Sequence, residues 1–190
     1  MKRLMLYNVY LCLLTAFLCG CGTEAGRHEL EDVFLVEVLG VDWGRDNVAL
    51  TAADAERVLR ADGGTAQRSY QRLKEGGEGY VALTHVEHIV AGAHGDLRAV
   101  LEGALQGDEV GQTAAVWISV DTTARELLEQ AGGGAKRLEA IQNNTRDFRP
   151  VTVMEALVSL EETGTVILPV INMEDGKLTL AGERIWRETD

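Results

Sequence analysis

Thr113–Val120 reads TAAVWISV, and Asp121–Gln130 follows as DTTARELLEQ. The first run is almost wholly apolar and rich in Val, Ile and Trp. That is the composition of a strand buried on both faces, which needs helices on either side of its sheet. Directly after it, Asp121 or Thr122 is placed to cap a helix over Thr123–Gln130, and Gly132-Gly133-Gly134 ends that helix. A buried strand feeding straight into a helix predicts an α/β (α+β) layer fold: one mixed β-sheet packed with helices.

The flanking segments extend this pattern in both directions. Ala135–Asn143 reads as a helix. Val151–Leu160 follows Pro150 and also reads as helix, with Thr152 a cap and Glu155 at capping-box spacing. Thr165–Val170 and Lys177–Trp186 read as strands around a turn at Asn172–Gly176. On the N-terminal side, Gly95–Leu105 is helical and Tyr80–Ala91 (YVALTHVEHIVA) has strand composition. Thr65–Glu75 reads as a helix capped by Thr65 and ended by Gly76-Gly77-Glu78-Gly79. Glu31–Val41 (EDVFLVEVLGV) reads as a strand, and Val48–Ala53 pairs with it across a turn at Asp42–Asn47. Asp54–Arg60 is ambiguous between helix and strand, and Asp62-Gly63-Gly64 breaks it.

The N-terminus has a different character. Met1-Lys2-Arg3 is a basic n-region. Leu4–Leu18 is an apolar stretch too short to span a hydrocarbon core of roughly 30 Å comfortably, but of the size of a signal-peptide h-region. It runs into Leu18-Cys19-Gly20-Cys21, which looks like a bacterial lipobox. The expected organisation is a lipoprotein signal peptide over 1–20, a lipidated tether over 21–29, and one domain over 30–190. An ordinary signal peptide and an uncleaved anchor are the alternatives. On the lipoprotein reading the Cys21 thiol carries diacylglycerol, with or without a further N-acyl chain such as palmitate. Cys12 and Cys19 leave with the signal, so the mature chain has no free thiol, no disulfide framework and no other expected cofactor.

The 190 residues suffice for one domain with a real core, since 46% are apolar. Thirty acids stand against eighteen bases, a formal charge of −12, and loss of Lys2 and Arg3 with the signal moves it to −14. Such a chain is a poor partner for nucleic acid, whose phosphates need clustered Lys and Arg. It also gains nothing from anionic lipid, so the Cys21 anchor must hold it at the membrane.

Few residues suggest chemistry. There is no dinucleotide fingerprint, no phosphate loop and no nucleophile elbow. His85, His88 and His94 surround Glu87. A zinc site on His85, Glu87 and His88 is one reading, and structural or surface histidines are the other. In a strand, His85 and Glu87 point one way and His88 the other. Asp42 and Asp46 flank the Trp43-Gly44 turn, where Asp side chains commonly cap the backbone. Trp117 reads as core. Trp43 and Trp186 read either as interface anchors or as covers for a sheet edge.

Several blocks, in this order, resemble the N-terminal domain of the Ger(x)C family, the lipoprotein C subunits of spore germinant receptors. They are the lipobox, Arg27-His28-Glu29-Leu30, and Leu39-Gly40-Val41-Asp42. Next comes the strand Leu83–Gly92, in which His85 is the family's strand histidine and Thr84 replaces its usual Gly. Val116–Val120 with Thr123-Ala124-Arg125-Glu126-Leu127-Leu128 follows, then Thr152–Leu157, Leu168-Pro169-Val170 and Leu180–Trp186. Gly22–Gly26 departs from the Trp-Asp usual after the lipidated cysteine. The resemblance implies a non-enzymatic receptor subunit on the outer face of the spore inner membrane. Its partners would be the polytopic A and B subunits, and its process nutrient-triggered germination. Family members carry three domains and run to roughly twice this length, so the chain corresponds to the first domain. The rival expectations are a generic surface lipoprotein adaptor or solute-binding protein, and a zinc-dependent surface hydrolase.

Overall fold

The computed structural model describes residues 33–76, 79–106, 110–146 and 148–188. The signal segment, the lipobox, Cys21, the tether and His28 lie outside the described residues. Among the described residues the strands are β1 (Val33–Leu35), β2 (Val38–Trp43), β3 (Val48–Ala53), β4 (Val58–Gly63), β5 (Tyr80–Ala82), β6 (His88–Ala91), β7 (Ala115–Ser119), β8 (Val151–Thr152), β9 (Thr165–Glu174) and β10 (Lys177–Arg187). The helices are α1 (Ala66–Glu75), α2 (Leu97–Leu105), α3 (Ala124–Ala131), α4 (Ala135–Asn144) and α5 (Val153–Thr163).

All of β7 is buried. Alternation explains why it needs no polar residue: Val116 and Ile118 enter one core, Ala115 and Trp117 the other. The main sheet runs β10-β9-β7-β6-β2-β3-β4, with β8 paired to the start of β7. β9, β7, β6 and β2 are parallel neighbours, while β3, β4 and β10 are antiparallel additions at the two sides. On one face, Tyr70 of α1, Leu101 of α2 and Leu160 of α5 pack with Leu39, Ile89, Val116 and Leu168. On the other, Leu127 and Leu128 of α3 and Leu138 of α4 pack with Val38, Val90, Trp117 and Ile171. The protein is therefore a mixed β-sheet between two helical layers, the α/β class expected from the strand–helix pattern. Among the described residues, no helix is long and apolar enough to cross a membrane.

Local chemistry sets most boundaries. Thr65 caps α1, its side chain accepting from the Arg68 N–H. The predicted capping box of α5 is present: the Thr152 hydroxyl accepts from the Glu155 N–H at 3.2 Å, and the Glu155 carboxylate accepts from the Thr152 N–H at 3.0 Å.

Four expectations need correction, and one open reading, Asp54–Arg60, is resolved. Tyr80–Ala91 is not one strand. β5 pairs with β1 in a separate two-stranded sheet, a turn closes between Leu83 and Val86, and β6 then joins the main sheet. Glu31–Val41 divides at the same level. The Val36 N–H bonds to Ala82 of the small sheet, and the Glu37 N–H bonds to Ala53 of the large one. Asp54–Arg60 resolves towards strand because the Asp54 carboxylate accepts the N–H groups of Glu56 and Arg57, at 2.8 and 2.6 Å, and closes a β3–β4 hairpin. Finally, α3 is capped by Thr123 rather than by Asp121 or Thr122, in a full capping box with Glu126. The last hairpin is also tighter than expected, since β9 and β10 stay paired up to Glu174 and Lys177.

Candidate functional site

The carboxyl ends of β2, β6 and β7 meet the N-terminus of α3, and Asp42, Thr123 and Glu126 gather there. A helix start leaves orphan N–H groups and a partial positive charge. Here the chain supplies its own acceptors. Asp42, at the end of β2, accepts the Ala124 N–H at 2.7 Å through Oδ1 and the Arg125 N–H at 3.0 Å through Oδ2. The Thr123 hydroxyl takes the Glu126 N–H at 3.1 Å. Burial pushes the Asp42 carboxyl above its ordinary 3.8, and the N–H groups of Arg125 and Ala124 pull in the opposite direction.

Two glycines allow the close approach. A Cβ on Gly40 would stand 2.9 Å from Leu128 Cδ1 and 3.3 Å from the Ala124 Cβ, so α3 lies directly on β2. A Cβ on Gly92 would come within 3.1 Å of Asp42 Oδ1. The Gly92 N–H also donates to the Val41 carbonyl at 2.8 Å. Gly40, Asp42, Gly92, Ala124 and Leu128 thus form one joint between sheet and helix. Beside it lies an open cleft of about 360 Å³, lined in part by Asp42, Trp43, His94, Asp121 and Glu126. Its rim is acidic, and the helix N-terminus that would attract an anion is already occupied by Asp42.

The histidines do not converge there. His85 sits exposed in the turn after β5, Glu87 is exposed, and His94 is exposed beyond β6. His88 is buried at 2% exposure on the α3–α4 side. The Trp117 indole N–H donates to His88 Nδ1 at 3.4 Å, and Trp117 stacks on Phe148 with ring centres 5.5 Å apart. Burial lowers the imidazole to about 4. His85, Glu87 and His88 line one open cleft of about 390 Å³, with His85 and Glu87 exposed and His88 almost wholly buried behind them. Among the described residues, no group of three or more His, Cys, Asp or Glu side chains is placed to hold a metal ion.

Of the two tryptophans read either as interface anchors or as covers for a sheet edge, Trp186 is turned inward, with 2% of its surface exposed. It packs against Trp43, ring centres 5.8 Å apart and tilted by 41°. Trp186 is thus a core residue of β10, and only the half-buried Trp43 reaches the cleft. The role of Asp42 was also missed. The turn after it is closed by the Gly44 N–H to the Asn47 carbonyl at 2.9 Å, not by Asp42, whose carboxylate serves a helix far along the chain. A faint signal existed: an Asp ending a strand, with a Thr-x-x-Glu helix start elsewhere needing acceptors.

The chain matches no protein-family model and no curated protein.

Proposed function

We propose that the chain is a lipoprotein held to the membrane through Cys21, and that its exported α/β domain is a non-enzymatic subunit of a spore germinant receptor. It would act on the outer face of the spore inner membrane in nutrient-triggered germination, beside polytopic A and B subunits. The observation that supports this reading is the joint at Asp42. Three of the blocks that resemble the Ger(x)C family are Leu39–Asp42, Leu83–Gly92 and Thr123–Leu128. Gly40, Asp42, Gly92, Ala124 and Leu128 come from those blocks, and they touch one another. These are positions where a small residue or a carboxylate is physically required, whereas His85, matched to the family's strand histidine, lies exposed in the turn before β6 and outside the joint.

A non-enzymatic role fits how the reactive groups are employed. Asp42 caps a helix and His88 Nδ1 accepts the Trp117 indole N–H, while His88 Nε2 is buried without a hydrogen-bond partner among the described residues. The signal-like order of basic residues, apolar stretch and lipobox supports the anchor. Replacing Cys21 by Ala should abolish metabolic lipid labelling, and persistent labelling would refute that part. Affinity capture from spore membranes tests the rest.

The cleft favours a second reading. Open α/β sheets bind ligands beyond the carboxyl ends of their parallel strands. A solute-binding lipoprotein would use the cleft bounded by Asp42, Asp121 and Glu126, and its acidic rim would select a cation. Calorimetric titration with small organic cations tests this.

A further inference from the structure

The main sheet ends at β10, and no strand among the described residues lies beyond it. An open strand edge is a template for a further strand, so the side chains beside it decide what can add there. The register shows which backbone groups face out. The Glu188 N–H donates to the Gly164 carbonyl at 3.1 Å, and the pairs that follow are Arg187 with Thr165, Trp186 with Val166 and Ile185 with Ile167. Bonded and non-bonded pairs alternate in an antiparallel ladder. Trp186 and Arg184 therefore bond to β9, while Glu183, Ile185 and Arg187 turn their N–H and C=O groups outward. Pro169 agrees with this phase: it has no N–H to give, and it stands opposite Glu183 at a non-bonded position.

The same three residues share a face, because side chains alternate along a strand. It is the face away from the buried Trp186, and all three side chains on it are exposed. Ile185 is 51% exposed, and its cross-strand neighbour Ile167 is 54% exposed. Along the edge the pattern is acid, apolar, base. A two-fold axis through Ile185 brings an antiparallel copy into register with Glu183 opposite Arg187, Ile185 opposite Ile185 and Arg187 opposite Glu183. In that register the outward N–H and C=O groups of the two copies meet as hydrogen-bonded pairs. Among the described residues neither Glu183 nor Arg187 has an ion-pair partner, so both charges are free for this contact. Charged edges ordinarily repel their own kind; here opposite signs flank an apolar centre, and self-pairing is attractive. The opposite edge, β4, differs, since its Arg60 and Asp62 already pair with each other at 2.8 Å. The bulge before Gly182, whose φ is 132°, confines the open ladder to the residues that follow it.

We infer that Glu183–Arg187 is a docking edge for a second copy of this chain, paired antiparallel about Ile185 and held by two reciprocal Glu183–Arg187 ion pairs. The pairing joins two main sheets into one continuous sheet. It stands whether or not the chain is a receptor subunit. A contact of one short strand per copy is small for an interface, so the dimer is weak and dissociates on dilution.

Sedimentation equilibrium of the full chain in density-matched detergent reads the association constant, at low salt where exposed ion pairs are least screened. Wild type is compared with Glu183→Arg, Arg187→Glu, the double exchange, and an equimolar mixture of the two single variants. Both positions are exposed, so the fold tolerates the changes. Each single variant makes both cross-strand pairs like-charged and should associate about tenfold more weakly or worse. The double exchange restores both pairs. So does the mixture, because Glu183→Arg and Arg187→Glu complement each other only as a one-to-one heterodimer. Both should return to within about threefold of wild type. Lipid-driven association in the detergent would not follow these charges. A wild type that stays monomeric to about 1 mM overturns the inference and leaves the edge to a different extended segment. A dimer indifferent to the single variants, or a mixture that fails to recover, overturns it as well.

Discussion

The Asp42 carboxylate accepts the backbone N–H groups of Ala124 and Arg125, across 82 positions of sequence in the case of Ala124. One side chain at the end of β2 therefore fixes the start of α3. Asp42→Ala would leave both N–H groups without their acceptor and should cost about 2 kcal/mol of stability. Urea unfolding reads this as a lower midpoint at unchanged slope. An unchanged midpoint would mean that the joint contributes nothing.

The pH response of Asp42 has a definite sign. Its folded pKa is raised by burial above the ordinary 3.8. Its contribution to stability is thus fully present below the ordinary value and is lost as pH rises through the folded one. In Asp42→Asn, which does not titrate, this decline should vanish. Unfolding free energies of the two proteins across the acid range, taken as a difference, check the sign.

His88 titrates with the opposite consequence. Burial lowers its imidazole from 6.5 to about 4. Its contribution is complete above pH 6.5 and is lost as pH falls through the folded value, by about 3 kcal/mol at most. Between pH 6.5 and 4 the wild type should lose stability more steeply than His88→Gln. Parallel slopes would show that His88 is protonated in the folded protein.

Gly40 tests how closely the layers meet. Gly40→Ala drives a methyl group towards Leu128 and Ala124 and should cost about 1–3 kcal/mol. Leu128→Ala removes the nearer obstacle, so the double variant should be less destabilised than the sum of the two singles. Strict additivity would contradict the contact.

Trp186 separates core from interface. As a buried residue packed on Trp43, Trp186→Ala should cost about 3–5 kcal/mol. A surface anchor would change stability by less than about 0.5 kcal/mol.

The sequence made the fold class legible through signals that are local. The β-branched and aromatic content of TAAVWISV marked a strand covered on both sides, and Thr152 with Glu155 announced the start of α5 by spacing alone. Thr123 and Glu126 had the same spacing, but the neighbouring Asp121 and Thr122 offered equally good caps. Tyr80–Ala91 misled because its composition is uniform, whereas the handover between two sheets is a change of hydrogen-bond partner at Val36 and Glu37. Trp186 misled for a related reason: a tryptophan near a terminus looks peripheral until the register of β10 on β9 turns it inward. The joint was the least legible feature, since nothing around Asp42 indicates that its partners lie at Ala124 and Arg125.

The most direct test of the central claim is affinity capture of the tagged, lipidated full-length chain from spore inner membranes, with identification of what co-purifies. The account predicts polytopic A- and B-type receptor subunits in the eluate, and their loss when Cys21→Ala releases the chain from the membrane. Recovery of the membrane-anchored chain without either subunit would contradict it.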